Sequence, residues 1–323
     1  MNREELQLKI ANTIVENKKC IIHASPRSGK SKSCLDALKQ ISGTVLISVP
    51  SEFMIEIWKE EAVKWYYPEE REYFFHKVDF CCHASLHKQK HYDVLILDEC
   101  HSVISDIRIE GIKQIKANRI IGLSGSLSKK SREILKEQLE LEVKLEYSVD
   151  SAVANNVIKD YQIYVHQVAL LPEEQREYDK LTRVVAWAKE KGGKTLMFAS
   201  LKRGRFLYNL KSKNKYAEKL IKDFDRYLLF AQLKVVVNQL CSNVYYGGIN
   251  EQVVADFQDG SINSLGIVKL LNEGFTAVNL DTAVIVAVNS SEISAIQRIL
   301  RVLTKEEESK IANVHIIVSK NTV

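Results

Sequence analysis

The sequence predicts an α/β protein made of two consecutive domains, each a mostly parallel sheet covered by helices on both faces. Three observations carry this expectation. Short, near-continuous apolar runs recur between Cys20 and Leu123, separated by segments of helix length. The same alternation resumes between Tyr227 and Val318, after a long polar-apolar interval. A chain of 323 residues also has room for two cores, since a domain commonly takes about 100–200 residues.

The first-half runs are Cys20-Ile21-Ile22, Val45-Leu46-Ile47-Ser48-Val49, Val94-Leu95-Ile96-Leu97 and Ile120-Ile121-Gly122-Leu123. A strand apolar at successive positions is buried on both faces, as in a parallel sheet whose crossover helices cover it on each side. From about Asp150 to Asp225 the pattern changes. Pro172 to Lys191 and Phe206 to Phe224 read as helices, parted by Gly192-Gly193, in a segment that connects rather than catalyses. Strand-like runs return at Tyr227-Leu228-Leu229-Phe230, Asn243-Val244-Tyr245, Gly266-Ile267-Val268, Ala283-Val284-Ile285-Val286-Ala287 and Val314-His315-Ile316-Ile317-Val318. The expected domains are residues 1–148 and 149–323.

Composition sets bounds. Hydrophobic residues make up 46% and charged residues 27% of the chain, with a formal net charge of +5, a balance that suits phosphate-backbone binding without requiring it. No stretch approaches the roughly 20 apolar residues of a membrane span, and Met1-Asn2-Arg3-Glu4-Glu5 lacks the order of a signal peptide. An intracellular, cytoplasmic protein without membrane contact is expected. The six cysteines form no C-x-x-C pair and read as reduced, packed thiols. Cys81-Cys82-His83 with His87 reads as structural, because adjacent strand residues face opposite ways and no second ligand pair follows.

Two motifs carry chemistry. Ala24-Ser25-Pro26-Arg27-Ser28-Gly29-Lys30-Ser31 follows the first apolar run and opens a helical segment, matching G-x-x-x-x-G-K-[ST] except that Ala24 replaces the first glycine. Such a loop cradles phosphates with backbone amides around Ser28 and Gly29. Lys30 supplies positive charge, and Ser31 a hydroxyl ligand for Mg2+. The second motif, Tyr92 to His101, is an apolar strand ending in Asp98-Glu99. Asp98 suits the metal and Glu99 suits a base that positions and deprotonates water.

Asp98-Glu99-Cys100-His101 resembles the D-E-x-H signature of superfamily-two helicases and translocases, and the resemblance spans nearly the whole chain. It implies two tandem RecA-like domains that clamp ATP with Mg2+. Gln7 looks like the family's adenine-reading glutamine. Val45 to Ser51 with Trp58 resembles motif Ia, which would put Pro50 and Ser51 on nucleic acid, and Cys82 to Leu86 puts Ser85 there. Leu123-Ser124-Gly125-Ser126 looks like motif III, usually S-A-T.

In the second domain, Arg226 to Ala231 resembles motif IV, with Gln232 next to it. Leu270-Leu271-Asn272-Glu273-Gly274-Phe275 resembles motif V, and Gln297-Arg298-Ile299-Leu300-Arg301-Val302-Leu303-Thr304 resembles motif VI. Asn272 would touch the strand, Gln297 the nucleotide, and Arg298 and Arg301 the phosphate charge. The departures are Arg27 where many relatives have glycine, Ser126 for threonine, Thr276 for aspartate, Leu300 for glycine and Thr304 for the last arginine.

The resemblance implies an ATP-driven DNA helicase or translocase, closest in style to phage recombination helicases and to type III restriction and transcription-repair motors. A bacterial or phage-infected cell is the expected setting. An RNA helicase of the same architecture and a slow, ATP-switched binding module remain open, the latter because of Leu300 and Thr304. A monomer is expected, and two minimal domains would use nearly all of the chain, leaving strand separation to a partner or a small loop.

Overall fold

The computed structural model describes residues 1–89, 91–157, 160–246, 250–268, 280–286 and 311–322. The chain divides into two compact units between Ile158 and Lys159.

The first unit contains α1 (Arg3–Glu16), β1 (Lys19–Ala24), α2 (Lys30–Gln40), β2 (Val45–Val49), α3 (Glu52–Trp65), α4 (Pro68–Lys77), β3 (Val78–Cys82), β4 (His91–Leu97), α5 (Asp106–Gln114), β5 (Lys116–Ser124), α6 (Lys129–Leu139), β6 (Val143–Tyr147) and α7 (Val149–Ala154). Its strands lie in the order β3-β2-β4-β5-β1-β6, each pairing parallel. From β1 the chain steps one way to β2 and β3, then back through β4 and β5 to β6. Right-handed crossovers put the connections of these two journeys on opposite faces. The contacts agree: α1 meets α2, α2 meets α3 and α3 meets α4, whereas α5 meets α6 and the 3-10 turn at His83–Lys88.

The continuous apolar strands follow from this two-sided cover. Leu46, Leu95, Leu97 and Ile21 pack into a core with Ile109 and Ile112 of α5 and Leu135 and Leu139 of α6. Their sequence neighbours Val45, Ile47, Val94, Ile96, Cys20 and Ile22 are equally buried on the other face.

The second unit contains β7 (Tyr161–Val168), α8 (Pro172–Lys191), α9 (Gly193–Tyr208), α10 (Lys211–Leu220), β8 (Tyr227–Ala231), α11 (Lys234–Leu240), β9 (Val244–Tyr245), α12 (Glu251–Asp259), β10 (Ser264–Val268), β11 (Thr282–Ile285) and β12 (Ala312–Ser319). The sheet order is β7-β12-β11-β8-β10-β9, again parallel throughout the described residues. Leu229, Val284 and Ile317 pack against Ala217 of α10 and Val236, Val237 and Leu240 of α11.

The architecture is the expected one: two tandem α/β domains with parallel sheets. Three strands, β3, β6 and β7, lie outside the apolar runs of the sequence, and all three are edge strands. An edge strand is covered less completely, so its sequence alternates. β6 reads Val-Lys-Leu-Glu-Tyr, with the two charged residues exposed. β7 is largely exposed yet pairs with β12 along its whole length, from Tyr161 beside Ala312 to Val168 beside Ser319.

The helix expected over Phe206–Phe224 is broken in two. α9 ends at Tyr208, Leu210 turns extended and buries its side chain, and α10 starts at Lys211. The buried ammonium of Lys213 donates to Leu207 O at 2.8 Å, capping the end of α9, and Glu174 accepts from Ser212 N at 3.1 Å. Burial lowers Lys213 to about 8 despite Glu174 nearby.

Gly266, at the centre of β10, lets α11 lie directly on the sheet: a Cβ there would stand 2.5 Å from Val237 Cγ1 and 2.9 Å from Cys241 Cβ. Gly266→Ala is expected to destabilise the second unit by about 1–3 kcal/mol, the range for overpacking a filled core. A lower urea midpoint measures it, and an unchanged midpoint would refute the tight α11 packing.

Candidate functional site

The motif residues of the first unit gather at the carboxyl edge of its sheet. β5 and β1 are neighbours, but the connection leaving β1 and the one leaving β5 run to opposite faces. The crevice between such strands is the usual binding position in an open α/β sheet.

The loop between β1 and α2 lines this crevice. Ala24 is the last, fully buried residue of β1 and takes no positive φ, so glycine is not needed there. Arg27 and Gly29 do adopt left-handed backbone, with φ of 66° and 87°. Arg27 thus stands where glycine would be unstrained, at a cost of roughly 1–2 kcal/mol. Gly29 takes a φ that glycine adopts without strain, and the flexible Gln7 side chain lies where a Cβ would stand, its Nε2 2.2 Å from that position. The amides of Lys30, Ser31 and Lys32 precede the first helical bond, from Ser33 N to Gly29 O at 2.9 Å, and stay available to an anion. Lys30 Nζ folds over the loop and donates to Ala24 O at 3.0 Å and Ser25 O at 3.2 Å. Ser25 Oγ and Ser28 Oγ are buried with no hydrogen-bond partner among the described residues. Buried donors of this kind normally have a partner, and phosphate oxygens would provide one.

Asp98 and Glu99 follow β4 and are 6% and 7% exposed. Asp98 N–H donates to Ser48 O at 2.9 Å, anchoring the strand end to β2. Trp58 Nε1 of α3 donates to Asp98 Oδ2 at 2.8 Å, and Glu99 N donates to Oδ1 at 3.0 Å. Burial and the adjacent Glu99 charge push Asp98 up to about 6, opposed by the Trp58 hydrogen bond and the Lys30 charge. Trp58 is therefore a positioning residue for this carboxylate. The sequence marked it only as part of motif Ia, since nothing local joins α3 to the end of β4.

His83 braces the same strand end from below. Its Nε2 lies 2.9 Å from Asp98 O and its Nδ1 lies 2.7 Å from Ser48 Oγ. The carbonyl can only accept, so Nε2 carries the hydrogen and Nδ1 accepts from the serine. Burial pushes His83 down to about 4, with the hydrogen bond to Asp98 O opposing. Among the described residues no group of His, Cys, Asp and Glu gathers as a metal cluster, and His83 is occupied with this structural role.

Glu99 sits at φ 45°, in left-handed backbone, and its carboxylate has partners different from those of Asp98. His101 Nδ1 lies 3.1 Å from Glu99 Oε2 and 2.9 Å from Ser124 Oγ. The Ser124 hydroxyl and Gly125 N–H each approach the same Glu99 oxygen to 3.5 Å. A Cβ on Gly125 would meet Pro26 Cγ at 2.9 Å, so the Ser124–Ser126 segment touches the β1–α2 loop. Loop, paired carboxylates, Ser124–Ser126 and Gln7 thus converge. Ser31, half-buried in the first turn of α2, and Asp98 offer the hard oxygen ligands that suit magnesium.

Pro50 and Ser51 close β2, and Ser85 lies in the 3-10 turn after β3, on the same edge but towards the other end of the sheet. Gln232 follows β8 in the second unit. Asn272, Thr276, Gln297, Arg298, Leu300, Arg301 and Thr304 lie outside the described residues.

No protein-family model matches the sequence, and no curated protein does either. Solved structures do match. The Pyrococcus furiosus Hef helicase domain is 15% identical, covering 99% of this chain and 95% of that one, with a TM-score of 0.53. The ATP-dependent type ISP restriction-modification enzyme LlaBIII, bound to DNA, is 13% identical with a TM-score of 0.65. It covers all of this chain, which spans 28% of the enzyme's length. The chain shares its fold with these helicase and restriction-enzyme domains. The tandem RecA-like arrangement follows from the same likeness and from the two parallel sheets.

The histidine brace gives a pH prediction. Because His83 is held neutral, with its pKa far below 6.5, its contribution to stability is complete above pH 6.5 and is lost as pH falls towards 4. The loss amounts to roughly 3 kcal/mol. The advantage of wild type over His83→Gln in thermal unfolding should shrink over that interval; an advantage constant with pH would refute the assignment.

Proposed function

We propose that this chain is a nucleic-acid-dependent ATP hydrolase that acts on DNA as a helicase or translocase. The observation that carries the reading is the convergence of the Lys30–Ser31 loop and the Asp98–Glu99 pair beneath Ser124, with buried loop hydroxyls that have no hydrogen-bond partner among the described residues.

In this mechanism the loop amides and the Ser25 and Ser28 hydroxyls bind phosphate oxygens. Lys30 exchanges its two carbonyl partners for the outer phosphates. Ser31 and Asp98 hold magnesium, which would neutralise phosphate charge. Glu99 orients a water and takes its proton at Oε1 or Oε2, while His101 Nδ1 and Ser124 fix the carboxylate. Ser124 also ties this base to the segment that touches the phosphate loop, so a nucleotide-dependent shift of Pro26 is felt at Glu99. Gln7 beside Gly29 serves base recognition. The motif reading adds Gln297 to the nucleotide contacts and assigns Arg298 and Arg301 to phosphate charge, with Leu300 and Thr304 slowing turnover.

Pro50, Ser51, Ser85, Gln232 and Asn272 are the proposed strand contacts. The style of the Leu270–Phe275 motif supports DNA, as does a solved neighbour that is itself bound to DNA.

Two measurements test this reading. ATP turnover should rise with single-stranded or branched DNA more than with RNA; stronger stimulation by RNA would replace the DNA assignment. Glu99→Gln should retain ATP binding and lose about 10²- to 10⁴-fold in hydrolysis, whereas Lys30→Ala should weaken binding itself. Equal turnover in Glu99→Gln and wild type would leave an ATP-switched binding module.

A further inference from the structure

Among the described residues four strands form the ends of the two sheets: β3 and β6 in the first unit, β7 and β9 in the second. An edge strand offers unpaired backbone groups to any other chain, and proteins guard it with charge, proline or shortness. β3 carries the exposed Asp79, β6 carries Lys144 and Glu146, and β9 has only 2 residues. β7 has none of these guards. Its 8 residues, Tyr-Gln-Ile-Tyr-Val-His-Gln-Val, include no lysine, arginine, aspartate, glutamate or proline. No bulge interrupts its register with β12. Ile163, Tyr164 and Val165 at its centre are 46%, 40% and 58% exposed.

The open edge has a definite polarity. Asp160 O accepts from Ala312 N at 2.9 Å and Val168 O accepts from Lys320 N at 2.8 Å, so the backbone groups of the even-numbered residues face β12. Those of Ile163, Val165 and Gln167 face the other way. Among the described residues no strand pairs with that side.

We propose that β7 pairs antiparallel with β7 of a second copy of this chain, about a two-fold axis through Tyr164 and normal to the sheet. A two-fold places a surface against itself, so any charge on it meets its like; β7 presents none. With Tyr164 opposite its counterpart, Ile163 of each copy stands opposite Val165 of the other, at the positions that exchange both N–H···O bonds. These exposed apolar side chains share one sheet face and cover each other. On the other face Gln162 stands opposite His166. A charged strand from another protein would find no charge on β7 to match. The pairing joins the second units of two copies through one continuous sheet, in place of the monomer expected from the sequence.

Sedimentation velocity of the full chain over a concentration series tests this. Wild type should shift towards twice 36.9 kDa as concentration rises. Val165→Lys puts a guarding charge at an exposed position, and each dimer carries it twice, so the dissociation constant should rise at least about tenfold. Val165→Pro, at a position whose N–H faces outward, should leave the ladder to β12 intact and act likewise. Ile107→Lys, which removes a 79% exposed apolar side chain from α5, should match wild type. Tyr164→Cys should give a disulfide-linked dimer on oxidation, since residues directly opposite at such a position lie about 4.5 Å apart at Cα. Gln162→Cys, which faces His166, should not. Unchanged circular dichroism reports intact folding.

Wild type that stays monomeric at about 100 µM, where a dimer of micromolar affinity would be filled, would overturn the pairing and leave β7 to a strand of another protein. A dimer that survives both Val165 variants, or that Ile107→Lys dissociates as readily, would overturn it as well. Cross-linking through Gln162→Cys rather than Tyr164→Cys would overturn the two-fold at Tyr164.

Discussion

Parallel pairing imposes a direction on each unit: every strand in a sheet ends at the same edge, and each crossover must begin there. In the first unit that edge receives the phosphate loop after β1, the turn after β2, the 3-10 segment after β3, the carboxylates after β4 and the Ser124 segment after β5. These residues lie far apart in sequence. The hydrogen-bond ladders line them up along one edge, with neighbouring strands about 4.8 Å apart, and the two helical layers fix the ladder by burying both of its faces.

Placing two carboxylates at a buried edge is unfavourable in itself, because both are desolvated and repel each other. The structure separates their surroundings. Asp98 is held by the Trp58 indole, its own neighbour's amide and the ladder to Ser48. Glu99, in left-handed backbone, lies near His101, Ser124 and Gly125. Two adjacent acids thus acquire different partners, which suits one for holding a cation and the other for handling a proton. The His83 brace keeps the turn between them fixed from the side away from the crevice.

The segment between β7 and β8 has a similar division of labour. α8 and α10 bury charged groups, Glu174 and Lys213, that cap neighbouring helix ends. α9 buries none of its residues and presents Phe198, Lys202 and Arg205 outward. A helix that adds no fully buried side chain to a core is held by its ends and by α8. The sequence shows this segment only as amphipathic and charged, and so as a connector.

The sequence by itself determined the α/β class, both parallel sheets and the central strands, and it put the Ala24–Ser31 segment and the Asp98–Glu99 pair directly after strands. These are local properties: a strand buried on both faces must be apolar throughout, and the polar residues that follow it mark where it ends. Edge strands β3, β6 and β7 escaped the apolar pattern because one side of each is incompletely covered. Only the tertiary structure decided that Trp58 holds Asp98, that His83 braces it and that Gln7 closes on Gly29. Each of these depends on which strands are neighbours and which face a helix takes, and the free energy that settles those choices comes from burial across the whole sheet rather than from any one segment.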